Sequence, residues 1–82
     1  MSTGKLSIRQ IKAARALLDW SQERLAAKSG VSMPTIQRLE AQDGPLGGRA
    51  STGEKIRAAL EAAGIEFTNG DAPGVRLKKK KR

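Results

Sequence analysis

Ile8, Ile11, Ala14, Leu17 and Leu18 recur at intervals of three and four. That recurrence predicts an amphipathic helix over residues 8–18. Ser7 stands just before it, and Gln10 follows three places on, a capping-box spacing. Trp20 and Leu25 flank a second cap candidate, Ser21, at the spacing of a hydrophobic staple. A second helix is expected over residues 22–29, with Gly30 as its stop. Ser32 caps a third helix over residues 33–41, and Pro34 falls in its first turn, where a missing amide proton costs nothing. Residues 42–50 hold three glycines and a proline and read as a loop. Ser51 and Glu54 form another capping-box pair. Ile56, Ala59, Leu60 and Ala63 make the apolar stripe of a fourth helix ended by Gly64.

The period then changes from helical to alternating. Ile65 and Phe67 alternate with Glu66 and Thr68, and Val75 and Leu77 alternate with Arg76 and Lys78. Asn69-Gly70-Asp71-Ala72-Pro73-Gly74 lies between them, so a β-hairpin with a longish loop is expected. The apolar set Ile65, Phe67, Val75 and Leu77 has two readings. Either it closes the core of one subunit, or the hairpin's edge pairs with the same edge of a second copy to make a two-fold dimer. The chain divides into an arm (1–6), a helical domain (7–64), the hairpin (65–77) and a basic tail (78–82). The tail has no apolar residue to fold around and is expected to be disordered alone.

Leu25, Ala26, Gly30, Val31, Ile36 and Leu39 have the spacing that two steeply crossed helices require. Ala26 permits close approach, and Gly30 permits the positive φ of a tight turn. On these residues the stretch Gln22-Glu-Arg-Leu-Ala-Ala-Lys-Ser-Gly-Val-Ser-Met-Pro-Thr-Ile-Gln-Arg-Leu-Glu40 resembles the helix-turn-helix of the Cro and cI repressor class, the XRE family. The resemblance spans about residues 8–63 and is densest over 22–40. The fold class expected is therefore mainly α: a small four-helix, lambda-repressor-like domain with a helix-turn-helix, followed by a C-terminal hairpin. The family usually has five helices, and here the hairpin stands where the fifth would be.

The resemblance implies that the third helix docks in the major groove of double-stranded DNA. The sequence agrees. At about 100° per residue, Met33, Pro34, Gln37 and Arg38 share one face and Ile36 and Leu39 the other. Arg38 has donors suited to guanine and Gln37 groups suited to adenine, whereas Met33 and Pro34 offer only apolar contact. Family members often carry polar base readers at those two places. The resemblance further implies phosphate contacts from Gln22, Ser32, Thr35, Arg49 and Ser51. It also implies an ion pair between Arg15 and Glu40 that orients the third helix. Read without it, Gln37, Arg38, Thr35 and Arg49 are equally ordinary solvated residues, and Gln22 a helix former. Trp20, placed before a cap, is assigned to packing rather than base stacking.

Charge changes this picture only a little. Sixteen Lys and Arg against eight Asp and Glu give +8. Five of those positive charges sit in Lys78–Arg82, leaving +3 for residues 1–77. The excess suits a polyanion, and the tail suits non-specific attraction to one. The chain has no Cys, His or Tyr, which removes the usual residues of zinc binding, disulfides and imidazole catalysis. No enzyme activity, cofactor, metal or small-molecule ligand is expected. No apolar run is long enough for a membrane span and none resembles a signal peptide, so a cytoplasmic, nucleoid-associated protein of a bacterium or phage is the expectation. The leading function is a dimeric repressor on a palindromic operator. The alternative is an adaptor that keeps the fold but binds protein, such as an antitoxin or anti-activator. An RNA binder is third, disfavoured by the lack of exposed aromatic residues.

Overall fold

The first three helices each begin at a serine, and the reason is local. A helix leaves its first amides without partners, and a short hydroxyl side chain accepts from one of them. In a computed structural model that describes residues 6–42, 50–68 and 74–78, Ser7, Ser21 and Ser32 start α1 (Ile8–Leu18), α2 (Gln22–Ser29) and α3 (Met33–Glu40). Each hydroxyl accepts from the backbone N–H three residues on: Gln10, Arg24 and Thr35. In α1 the reciprocal bond is also made, because Gln10 Oε1 accepts from the Ser7 N–H at 3.0 Å. α4 (Ala50–Ala62), β1 (Ile65–Thr68) and β2 (Gly74–Leu77) complete the described fold.

One expected cap is not formed. α4 already includes Ala50 and Ser51, so Ser51 is a first-turn residue and not an N-cap. A cap residue has extended backbone, which a helical serine does not. Leu6, the last residue of the arm expected over 1–6, is buried in the core, whereas residues 1–5, Arg49 and the rest of the expected loop at 43–49, the hairpin loop at 69–73 and the tail at 79–82 lie outside the described residues.

The core gathers from all four helices and β1. Ile8, Ile11, Leu25, Ile36, Ile56 and Leu60 are fully buried, and Ala14, Val31, Leu39 and Ile65 join them. α2 packs on α3 and α4, while α1 packs on α3 and β2. Truncating any of the six large side chains to alanine is expected to cost about 3 kcal/mol. Trp20 is half-buried against this core with Leu18 and Ala26, which fits its assignment to packing.

β1 and β2 pair antiparallel with Ile65 opposite Leu77, Glu66 opposite Arg76 and Phe67 opposite Val75. Opposed residues share a face of the sheet. The face holding Ile65, Phe67, Val75 and Leu77 is therefore turned to the helices. Ile65 is in the core and Phe67 and Val75 pack against it. The hairpin thus closes this subunit's own core. Of the four residues considered for a dimer contact, Ile65 is sequestered and only Leu77 is largely exposed, at 43 %. Gln10 pins the hairpin to α1. Its buried Nε2 donates to the carbonyls of Thr68 and Gly74, both at 3.0 Å.

Candidate nucleic-acid interface

The turn from α2 to α3 sets the angle of the exposed helix. Gly30 ends α2 with φ 77°, and a Cβ there would touch nothing within 4 Å. Glycine is needed for its backbone conformation and not for space. Ser29 steadies the same turn: its hydroxyl donates to the Leu25 carbonyl at 2.7 Å and accepts from the Val31 N–H at 3.2 Å. Val31 is thereby held in the core.

α3 divides cleanly into two faces. Ile36, Leu39 and Glu40 are buried; Pro34, Gln37 and Arg38 are exposed; Met33 and Thr35 are half-buried. Among the described residues, the side chains of Gln37 and Arg38 have no intramolecular hydrogen-bond or ion-pair partner. They are a forked donor group and an amide held at a helix surface with their bonding capacity open. Ser32 and Thr35 are linked to each other, with the Ser32 hydroxyl donating to Thr35 Oγ1 at 2.9 Å. The Ser32 proton is thus engaged, and the Thr35 hydroxyl proton is the one left to give.

Behind α3 lies a buried polar node. Arg15 Nη2 donates to Glu40 Oε1 at 2.6 Å and Arg15 Nε to Oε2 at 2.8 Å, a two-pronged pair. Arg15 Nη1 donates to the Trp20 carbonyl at 2.9 Å. One guanidinium therefore ties α1 and its exit turn to the end of α3. Gln22 Nε2 adds a third bond to the carboxylate, reaching Oε1 at 3.0 Å. Burial alone would raise the Glu40 carboxyl. The hydrogen bonds from Arg15 and Gln22, with the charges of Arg15 and Lys12, outweigh it and hold the carboxyl below its ordinary value. The pair foreseen between Arg15 and Glu40 is present. Helical spacing predicts the capping role of Gln10, but not the bond from Gln22, the role of Ser29 or the grip of Gln10 on the hairpin.

At the start of α2 the Ser21 hydroxyl serves the Arg24 N–H, while the N–H groups of Gln22 and Glu23 have no partner among the described residues. Unpaired amides at a helix N-terminus favour an anion. Glu23, exposed in the same turn, is the one opposing charge there. Ser51 is exposed in the first turn of α4. Among the described residues, no group of His, Cys, Asp or Glu is arranged to hold a metal ion, and no helix is long and apolar enough to cross a membrane.

A family model described as helix-turn-helix matches residues 11–68, the greater part of the chain. No curated protein gives a match. Domains of the matched family are DNA-binding regulators and not enzymes. The order of elements, the glycine turn and the two-faced third helix all agree with it, and the chain belongs to the helix-turn-helix family, in the XRE class consistent with Cro/cI-type regulators.

Proposed function

We propose that this protein is a sequence-specific regulator of transcription that binds double-stranded DNA, and that it acts as a dimeric repressor in the cytoplasm of a bacterium or phage-infected cell. The observation that carries this reading is the outer face of α3. Arg38 and Gln37 project there without partners among the described residues, on a helix whose other face is packed and anchored. In the major groove Arg38 reads guanine through two donors and Gln37 reads adenine, while Met33 and Pro34 contact a thymine methyl. Gln22, the free amides at the start of α2, Thr35 and Ser51 hold phosphates, with Ser32 setting Thr35. Arg49 and the basic tail add attraction to the backbone. One such helix reads few base pairs, so two subunits on a palindrome supply the specificity of an operator. Bound near a promoter, the dimer occludes polymerase.

The test is selection from a random duplex library with wild type beside Arg38→Ala. The expected outcome is a palindrome enriched by wild type. Arg38→Ala should fold normally and relax selection at one base pair per half-site, a loss of about 1–3 kcal/mol in discrimination. If nothing is enriched and all binding disappears with added salt, the sequence-specific reading fails. The exposed Pro34 beside Met33 then favours the adaptor, with α3 contacting protein.

A further inference from the structure

Gln22 and Glu40 lie on different helices and are joined by one hydrogen bond. Glu40 is buried, and its two oxygens already accept from Arg15 Nη2 and Nε. Gln22 Nε2 donates to Oε1 at 3.0 Å. A carboxylate has acceptors only, so the amide must turn its nitrogen toward Glu40 and its carbonyl away. Nε2 carries two hydrogens. One is engaged by Glu40. The second has no partner among the described residues, nor have the backbone N–H groups of Gln22 and Glu23 in the same helical turn. Without Glu40 the terminal amide torsion would be broad and roughly two-fold. In about half of its orientations the carbonyl oxygen would take the place of the donor.

We propose that Glu40 is a positioning residue for phosphate binding at the start of α2: its carboxylate holds the Gln22 amide in one orientation with its second Nε2 hydrogen still to give, so the seating of α3 and one backbone contact depend on the same group. The inference rests on the DNA-binding reading above and adds a coupling to it. The carboxylate that holds α3 against Arg15 also orients a donor on α2. A shift of α3 away from its seat therefore releases the amide. A correctly placed third helix and an ordered phosphate donor then occur together, which links register on the backbone to readout of the bases.

Two measurements test this. The first needs no DNA. In the NMR spectrum of the free protein, the two Gln22 Nε2 protons should be widely separated and slow to exchange with water. In Arg15→Met/Glu40→Met, which removes both charges and orphans neither, they should move to random-coil positions. The second is a double-mutant cycle on a duplex enriched by wild type from a random pool, with single phosphates replaced by methylphosphonate. In the wild-type background, Gln22→Ala should weaken binding about tenfold and abolish sensitivity to replacement at one phosphate. In the double Met background the same substitution should change affinity less than about twofold, while sensitivity at the phosphate facing Thr35 remains. Equal losses in both backgrounds would overturn the coupling and leave DNA binding standing. A silent Gln22→Ala on a tightly bound duplex would overturn it too. If the double variant fails to fold, or no duplex is enriched, the wild-type amide signals decide. Slow exchange and wide separation support the fixed amide, and random-coil positions overturn it.

Discussion

The α2–α3 unit and the hairpin differ in what they leave unpaired. On the outer face of α3, Gln37 and Arg38 have no partner among the described residues, while the charge behind the helix is buried in a bonded node. The hairpin does the reverse. Its outer face pairs Arg76 with Glu66 at 2.7 Å. Beside it on α4, Arg57 pairs with Glu61 at 3.0 Å and lies over the Phe67 ring. One region keeps polar groups open at the surface and fixed beneath it; the other closes its polar groups on themselves and turns its apolar face inward. Both surfaces carry cations, so net charge does not separate them. The availability of those cations does.

The largest expected effect tests the two ion pairs against each other. Glu40→Ala leaves a guanidinium only 20 % exposed without its carboxylate and should cost about 3 kcal/mol or more in urea unfolding. Glu66→Ala breaks a pair whose members are 69 % and 41 % exposed and should stay within about 0.5 kcal/mol. Equal costs would end the distinction between the two regions. Acidification makes the same point without a mutation. The folded protein holds the Glu40 carboxyl below its ordinary value, so its contribution to stability is complete above the unfolded carboxylate pKa. It is lost as pH falls through the lowered folded value. In Glu40→Gln that part of the acid dependence should be missing from a pH series of unfolding midpoints.

Next in size is the link between the regions. Gln10 uses its whole amide: Oε1 on the Ser7 N–H, Nε2 on the Thr68 and Gly74 carbonyls. Gln10→Leu removes these bonds and should cost about 1–2 kcal/mol. Gln10→Glu should cost more, about 2–3 kcal/mol at neutral pH, because a buried carboxylate would face two carbonyl oxygens. Hydrogen exchange should then report loss of protection in β1 and β2 before α2 and α3. Uniform loss across the chain would show that hairpin and helices unfold as one unit.

These residues also mark where sequence reading succeeds and stops. Ser7, Ser21, Ser32 and Gly30 are legible because a cap or a left-handed turn depends on residues three or four places away. The two faces of α3 follow from helical period alone. Ser51 shows the limit of such local rules, since its capping-box spacing fits while the helix starts before it. The alternation in the hairpin foretells strands and a common face for Ile65, Phe67, Val75 and Leu77, but not which body covers that face. Gln10 reaches residues 58 and 64 positions away. Its capping role is visible in the sequence, and its grip on the hairpin depends on how α1 and β2 pack. Gln22 is similar. Its place as a donor is implied only by the family resemblance, whereas the bond to Glu40 exists only once α2 and α3 have crossed.

The smallest expected effect lies in the turn that leads into the reading unit. Asp19 ends α1 with φ 58°, the one described non-glycine residue with positive φ, and it is exposed. The next carbonyl, Trp20, receives Arg15 Nη1, so this turn helps to place the buried node. Two costs act at Asp19. An L residue is disfavoured in the left-handed region, though less so for Asp than for most. A negative charge at a helix C-terminus opposes the helix dipole. Asp19→Asn removes the charge and keeps a side chain that tolerates the conformation; it should stabilise the fold by about 0.3–0.5 kcal/mol at low salt, and added salt should erase the gain. Asp19→Gly also removes the backbone strain but adds freedom to the unfolded chain. Its further gain over Asn should be within about 0.5 kcal/mol and insensitive to salt. If Asn is neutral at low salt and Gly alone stabilises, strain governs the turn. If the two variants behave alike, charge does, and this entry to the helix-turn-helix is limited by electrostatics and not by backbone geometry.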